Sequence, residues 1–215
     1  MKRPWHLQNP ELLQRTRVEL EERYPDLHLS AEINTVYVRG SFPVEHGGEV
    51  LDRFQIQVEL PAEWPSVTPV LRETGGRIPW SSARHVNHDG VACPLVPEEW
   101  LLSPNRDSLV TFLDGPVRNF FIGQSLFEAG EPLPFGERPH DRDGLLQSYG
   151  ELLGVEDEPQ IRRFLEVLSR HEVKGHWDCP CGSGIHLRKC HMEKVQQLRK
   201  RVPPSVAAQA LKRLG

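Results

Sequence analysis

Lysine is nearly missing from most of this chain. Its 215 residues hold six lysines, at positions 2, 174, 189, 194, 200 and 212, against twenty arginines. A codon bias toward arginine accounts for such a count. The functional alternative is a surface kept free of nucleophilic amines, because a guanidinium stays protonated. Long apolar runs are missing as well: nothing approaches the roughly 20 consecutive apolar residues of a membrane helix, so no membrane partner is expected. Met1-Lys2-Arg3-Pro4-Trp5-His6 runs straight into polar residues and lacks the apolar core of a secretory leader. Four cysteines without a leader are expected in a reducing, cytoplasmic setting, which excludes a disulfide-stapled secreted protein. There is no internal repeat, no P-loop and no Gly-rich nucleotide fingerprint, so ATP-dependent activation is not expected of this chain.

What is present is a globular composition, 38% hydrophobic and 26% charged, long enough for one ordinary domain with a small appendage. The net charge of −4 is unevenly spread. Residues 174–215 carry nine Lys/Arg against two Asp/Glu, leaving seventeen against twenty-eight in residues 1–173. A basic tail on an acidic body can meet an acidic partner, the body itself or, without being favoured, nucleic acid; a solvated helical face is the plain alternative.

Asn9-Pro10 reads as a helix cap followed by proline at the first helical position, with Leu13, Leu20 and Tyr24 on one face. Strands are expected near 27–33, at Val36 and Val38, and near 67–72. The clearest strand is 53–60, where Phe54, Ile56, Val58 and Leu60 alternate with polar residues, after a hairpin at Gly47-Gly48. Residues 81–102 show no periodicity and read as a long ordered loop. Ser103-Pro104 is a second cap signal before a stripe from Leu109 to Phe121, bent at Gly115-Pro116. Residues 123–140 read as an irregular crossing segment. Helices are expected near 143–153 and from Glu158-Pro159. Helices around an antiparallel meander indicate an α+β class. The expected division is a body over 1–171, a linker over 172–178 and a tail over 179–215.

The tail holds Cys179-Pro180-Cys181-Gly182-Ser183-Gly184 and then Cys190-His191. Two pairs of soft ligands separated by a Gly-bearing turn suit tetrahedral zinc, with Cys179, Cys181, Cys190 and His191 closing the site. A closed site supports structure and leaves no open position for hydrolytic chemistry. These residues also resemble the SEC-C motif, which implies a structural zinc and a docking role.

Cys93 stands alone, in Arg84-His85-Val86-Asn87-His88-Asp89-Gly90-Val91-Ala92-Cys93-Pro94-Leu95. A lone cysteine between Val91, Ala92 and Leu95 is ordinarily a small buried hydrophobe; the loop setting and nearby histidines open a nucleophilic reading. The order of features resembles the ubiquitin-conjugating (UBC-like) family. His85-Val86-Asn87 stands where that family has His-Pro-Asn, and Gly90 to Leu95 parallels its cysteine segment. Trp100 and Ser103-Pro104 parallel the family's nearby tryptophan and Ser-Pro helix start. The resemblance spans about residues 8–125. The His-x-Asn to cysteine spacing is about two residues shorter than in eukaryotic members, and proline comes directly after the cysteine. Gly130 to Glu137, His140 and Gly144 are similar to bacterial UBC-like proteins of short type II CBASS antiphage operons, which often carry a SEC-C tail.

The resemblance implies a UBC-like fold and acyl transfer. Cys93 would hold the C-terminal glycine of a protein cargo, implied to be a CD-NTase-type cyclic-nucleotide synthase, as a thioester, and pass it to an amine-bearing acceptor. Asn87 would stabilise the oxyanion, and His85 is read as a structural hydrogen-bonder rather than a base. Glu98, Glu99 or Asp89 would receive the amine's proton, and the sequence does not choose among them. Two other functions fit the same residues: a UBC-fold binding module without catalysis, and a cysteine protease or deconjugase.

Overall fold

The structure is a computed structural model that describes residues 3–131 and 141–215. Along the first part of the chain run α1 (Trp5–Gln8), α2 (Pro10–Arg23), β1 (Leu27–Ala31), β2 (Val36–His46), β3 (Glu49–Leu60) and β4 (Val70–Glu73). Beyond them come α3 (Pro97–Leu101), α4 (Leu109–Phe112), α5 (Arg118–Glu128), α6 (Asp141–Leu153), α7 (Glu158–Ser169), α8 (Met192–Arg201) and α9 (Pro204–Leu214). The protein is α+β. It divides into two compact units, residues up to 95 with 105–131, and 96–104 with 141–215.

In the first unit, four strands pair antiparallel in the order β1-β2-β3-β4, so each strand lies beside its chain neighbour. The alternation along β3 puts Phe54, Ile56, Val58 and Leu60 in the core, at about 1.5–3 kcal/mol for each large side chain buried. They meet Val36, Val38 and Phe42 of β2 and, from the helical side, Leu109, Phe112, Leu113, Val117 and Phe121. Phe54 and Phe121 stack at 4.4 Å. Asn9 caps α2 as expected, its Oδ1 accepting the Leu12 N–H at 3.1 Å, and Leu20 and Tyr24 turn inward.

Two details depart from expectation. The helix after the loop is capped by Ser108, whose Oγ accepts the Thr111 N–H, rather than by Ser103. The helix starts where its apolar stripe begins, and Leu109 is the first residue to be buried after the chain re-enters this unit at Asn105. Between α4 and α5 the backbone makes a π-turn over Leu113–Val117 around Pro116, which has no N–H to give. The helical path then continues to Glu128, into the segment read as irregular; residues 132–140 of that segment, His140 among them, lie outside the described residues.

The second unit shows that the boundary expected at residue 171 is not where the compact units divide. Helices α6 and α7 belong with the tail, because α9 lays Val206, Ala207, Ala210 and Leu214 against them while α7 buries Ile161, Phe164, Leu165 and Leu168. The α3 segment joins this unit too, through an ion pair between buried Glu98 and Arg213. Residues 172–178, read as a linker, are part of the tail's fold: Trp177 and Gly175 carbonyls accept the Leu187 and Arg188 amides at 2.8 and 2.9 Å.

Within the first unit, Arg77 clamps the turn after β4. Its guanidinium binds both oxygens of Asp52 at 2.8 and 2.7 Å, meets Glu128 at 2.6 Å and lies 4.3 Å from the Phe54 ring centre. Hydrogen bonding from Arg77 outweighs burial and, with help from Ser125, holds the Asp52 carboxyl down at about 2. A folded value below the unfolded one contributes stability above the unfolded pKa, lost as pH falls through the folded pKa. Asp52→Asn is expected to lower the melting temperature at neutral pH, with the gap to wild type closing between about pH 4 and pH 2. A gap that stays constant across that range contradicts the assignment.

Candidate functional sites

A tight hairpin presents Cys93. After a 3-10 turn over Ser82–Arg84, His85 adopts the left-handed conformation (φ 50°), the one non-glycine among the described residues with positive φ. Its carbonyl accepts the Cys93 N–H at 2.8 Å, and Val86 pairs with Ala92. Asn87-His88-Asp89-Gly90 makes the turn: the Gly90 N–H reaches the Asn87 carbonyl at 2.9 Å, and Asp89 Oδ1 accepts the Val91 N–H at 3.1 Å. The hairpin hangs on the outer edge of β4, where the Leu71 carbonyl accepts the Ala92 N–H at 2.9 Å.

Gly90 is needed twice over. Its φ is +79°, and a Cβ there would stand 2.8 Å from the Trp80 ring, which closes one side of the turn while staying 64% exposed. The turn brings the Asn87 side chain back to the cysteine: Cys93 Sγ lies 3.7 Å from Asn87 Oδ1. Cys93 is half-buried and Asn87 exposed, so the pair is open to solvent. His85 meets Cys93 through its main chain.

Of the three acidic candidates, Asp89 lies in the hairpin itself. Glu98 is buried, 3% exposed, and bound to Arg213 in the second unit, so it is a fold residue rather than a proton acceptor. Sequence reasoning missed what stands behind the hairpin: Arg84 and Gln124, both buried and bonded to each other. A polar residue on an otherwise apolar helix stripe gives no sign of its partner.

The second candidate site is the cysteine cluster of the tail. Cys179, Cys181, Cys190 and His191 bring their ligand atoms within 4.8 Å of one another. Cys181 and Cys190 sulfurs are 3.7 Å apart, and His191 Nδ1 is 3.2 Å from Cys179 Sγ and 3.1 Å from Cys190 Sγ. The edges of a zinc tetrahedron, taken from ordinary Zn–S and Zn–N bond lengths, are about 3.5–3.8 Å. The donor set therefore fits zinc with little adjustment. Gly182 (φ +80°) lets the chain reverse so that its N–H reaches the Cys179 carbonyl at 3.1 Å.

Helix α7 supports the knuckle: Arg163 Nε donates to the Pro180 carbonyl at 3.0 Å, and Gln160 Nε2 to the Cys181 carbonyl at 3.3 Å. Burial pushes the Cys179 thiol up, whereas hydrogen bonding with Ser183 lowers that of Cys181. A bound dication overrides both effects by deprotonating the thiols outright. Four protein ligands leave no open position, so the metal would hold the tail together rather than activate water.

Residues 178–193 match the SEC-C motif. No curated protein and no solved structure matches the chain. Among the described residues, no helix is long and apolar enough to cross a membrane.

Elemental analysis of the purified chain is expected to give one zinc per molecule, falling to near zero in Cys179→Ser. Structural zinc contributes about 10–16 kcal/mol in isolated zinc knuckles, so chelation should melt the second unit well before the first. Zinc well below one per chain in wild type contradicts the assignment. Residues 178–193 thus match a SEC-C motif, and their four ligand positions come together as a metal site requires.

Proposed function

We propose that the first unit is a UBC-like conjugating domain in which Cys93 carries an acyl group, and that the whole protein transfers a cargo protein's C-terminus to an amine. The observation that carries this reading is the thiol–amide pair, Cys93 Sγ 3.7 Å from Asn87 Oδ1, on a solvent-open hairpin. The order of elements lends support: a leading helix, a four-stranded antiparallel meander, the cysteine loop and then a further helix.

The chemistry has two steps. The Cys93 thiolate attacks the carbonyl carbon of an activated donor, a thioester or acyl adenylate supplied by a partner. A new C–S bond forms as that donor's leaving group departs. An acceptor amine then attacks the same carbon, the C–N bond forms, the C–S bond breaks, and Cys93 leaves as thiolate. The amine's proton passes to Asp89 or to water. In each step charge builds on the carbonyl oxygen. Half a turn of the Asn87 amide replaces Oδ1 by Nδ2–H, a donor for that oxygen. The cargo of this reading is a protein ending in glycine, of the CD-NTase type in an antiphage operon, and the zinc tail is the docking element.

Incubation with a glycine-ending peptide thioester should move the peptide acyl group onto Cys93 of wild type and leave Cys93→Ala unmodified. Asn87→Ala should slow the transfer by about 100- to 1,000-fold, the usual effect of removing one oxyanion donor. Acylation of wild type no faster than that of a free cysteine contradicts the proposal. Hydrolysis of the peptide without capture points instead to a protease.

No lysine occurs between Lys2 and Lys174, and charged surface sites such as Arg15 and Arg53 are filled by arginine. An arginine surface offers a thioester no competing amine. His88→Lys, at the exposed tip of the Cys93 hairpin, should raise self-conjugation severalfold, read as a mass gain that survives thiol treatment. Unchanged self-conjugation contradicts this role for the missing lysines.

A further inference from the structure

A pair of buried side chains grips the root of the hairpin that presents Cys93. Arg84 Nε donates to Gln124 Oε1 at 2.6 Å, and Gln124 Nε2 donates back to the Arg84 carbonyl at 2.9 Å. Gln124 is 1% exposed and Arg84 8%. The guanidinium also faces Glu128 at 3.5 Å and lies 4.6 Å from the Phe127 ring centre, so α5 grips Arg84 by hydrogen bond, ion pair and ring face together.

The atom held is the important one. The Arg84 carbonyl belongs to the peptide plane leading into His85, the left-handed residue whose own carbonyl accepts the Cys93 N–H. Rotation of that plane would swing the His85 carbonyl and, through it, Cys93. Further along the same limb, Val86 pairs with Ala92 of the other and leads into Asn87. Fixing one peptide plane therefore fixes both limbs of the hairpin. An apolar pair of equal volume would fill the same space but leave the plane's rotation open, because packing carries no direction while paired hydrogen bonds do.

We infer that Arg84 and Gln124 are positioning residues that set the spacing between the Cys93 thiol and the Asn87 amide. That geometric role stands on the residues themselves; its catalytic meaning rests on the acyl-carrier reading above. Neither residue touches the reacting atoms, so both act through the hairpin.

Gln124→Glu tests this in the full, zinc-loaded chain. It keeps an acceptor for Arg84 Nε and removes the donor to the Arg84 carbonyl. The Asn87 side-chain amide, assigned in a nitrogen–proton spectrum by its loss in Asn87→Asp, is expected to shift in wild type when iodoacetamide alkylates Cys93. In Gln124→Glu that signal should move and lose its response to alkylation, while the signals of α2 and of β1–β3 stay in place. Arg84→Lys, which keeps the cation and loses the Nε contact, should behave alike and supplies the reading where Gln124→Glu folds poorly. An Asn87 signal that keeps its wild-type position and response in either folded variant overturns the proposal.

A second arm reads chemistry. Peptide transfer from a mercaptoethanesulfonate thioester forms the Cys93 C–S bond and releases the sulfonate thiolate. This transfer should slow at least tenfold in Gln124→Glu, and less than twofold when Asn87 is already alanine. Equal slowing in both backgrounds overturns action through Asn87. If wild type takes no acyl group at all, the acyl-carrier reading fails, and the amide spectrum still decides the positioning.

Discussion

The hydrogen bond from the Ala92 amide to the Leu71 carbonyl is the constraint on which the candidate site depends. It uses the outer edge of β4, an edge that would otherwise offer unpaired backbone groups to other chains. Docked there, a segment without helical or strand periodicity acquires a defined register: Val86 opposite Ala92, the Cys93 amide on the His85 carbonyl, and the turn between them. A loop anchored to a sheet edge is the usual way to keep reactive side chains exposed and still fixed. The Arg77 clamp on Asp52 and Glu128 braces the stretch of chain leading into it.

The second unit rests on a different balance. Its apolar contacts come from helices of ten to thirteen residues and the shorter α3, and its knuckle buries Cys179, Pro180 and Leu187. Short helices are marginal by themselves, so packing between α7 and α9 carries the helical part. The knuckle has no such core and relies on its ligand set, with Arg163 and Gln160 of α7 satisfying carbonyls that the sharp turn leaves unpaired. The ligand set and the helices are thereby joined in one folding unit.

Much of this was legible in the sequence because the signals were local. The strict alternation along β3, the Asn9-Pro10 cap, the stripe of α7 and the spacing of Cys179, Cys181, Cys190 and His191 each come from chemistry within a dozen or so residues. The misread features depend on distant partners. Ser103-Pro104 has the residues of a cap, yet the choice of Ser108 depends on where Leu109 meets the core. The division at 171 followed from reading 172–178 as a linker, whereas the compact units are decided by the stripe of α9 meeting α6 and α7. The Arg84–Gln124 pair joins residues forty positions apart and leaves no periodic trace.

The central claim is that Cys93 carries a protein acyl group, and intact mass spectrometry tests it most directly. Wild type and Cys93→Ser would each be recovered after co-expression with their genomic neighbours. Acyl carriage predicts an adduct on wild type that excess thiol releases, and the same added mass on Cys93→Ser as an ester that thiol leaves intact, its size identifying the cargo. Unmodified protein in both cases, with a partner still co-purifying, would contradict acyl carriage and leave the fold as a binding module.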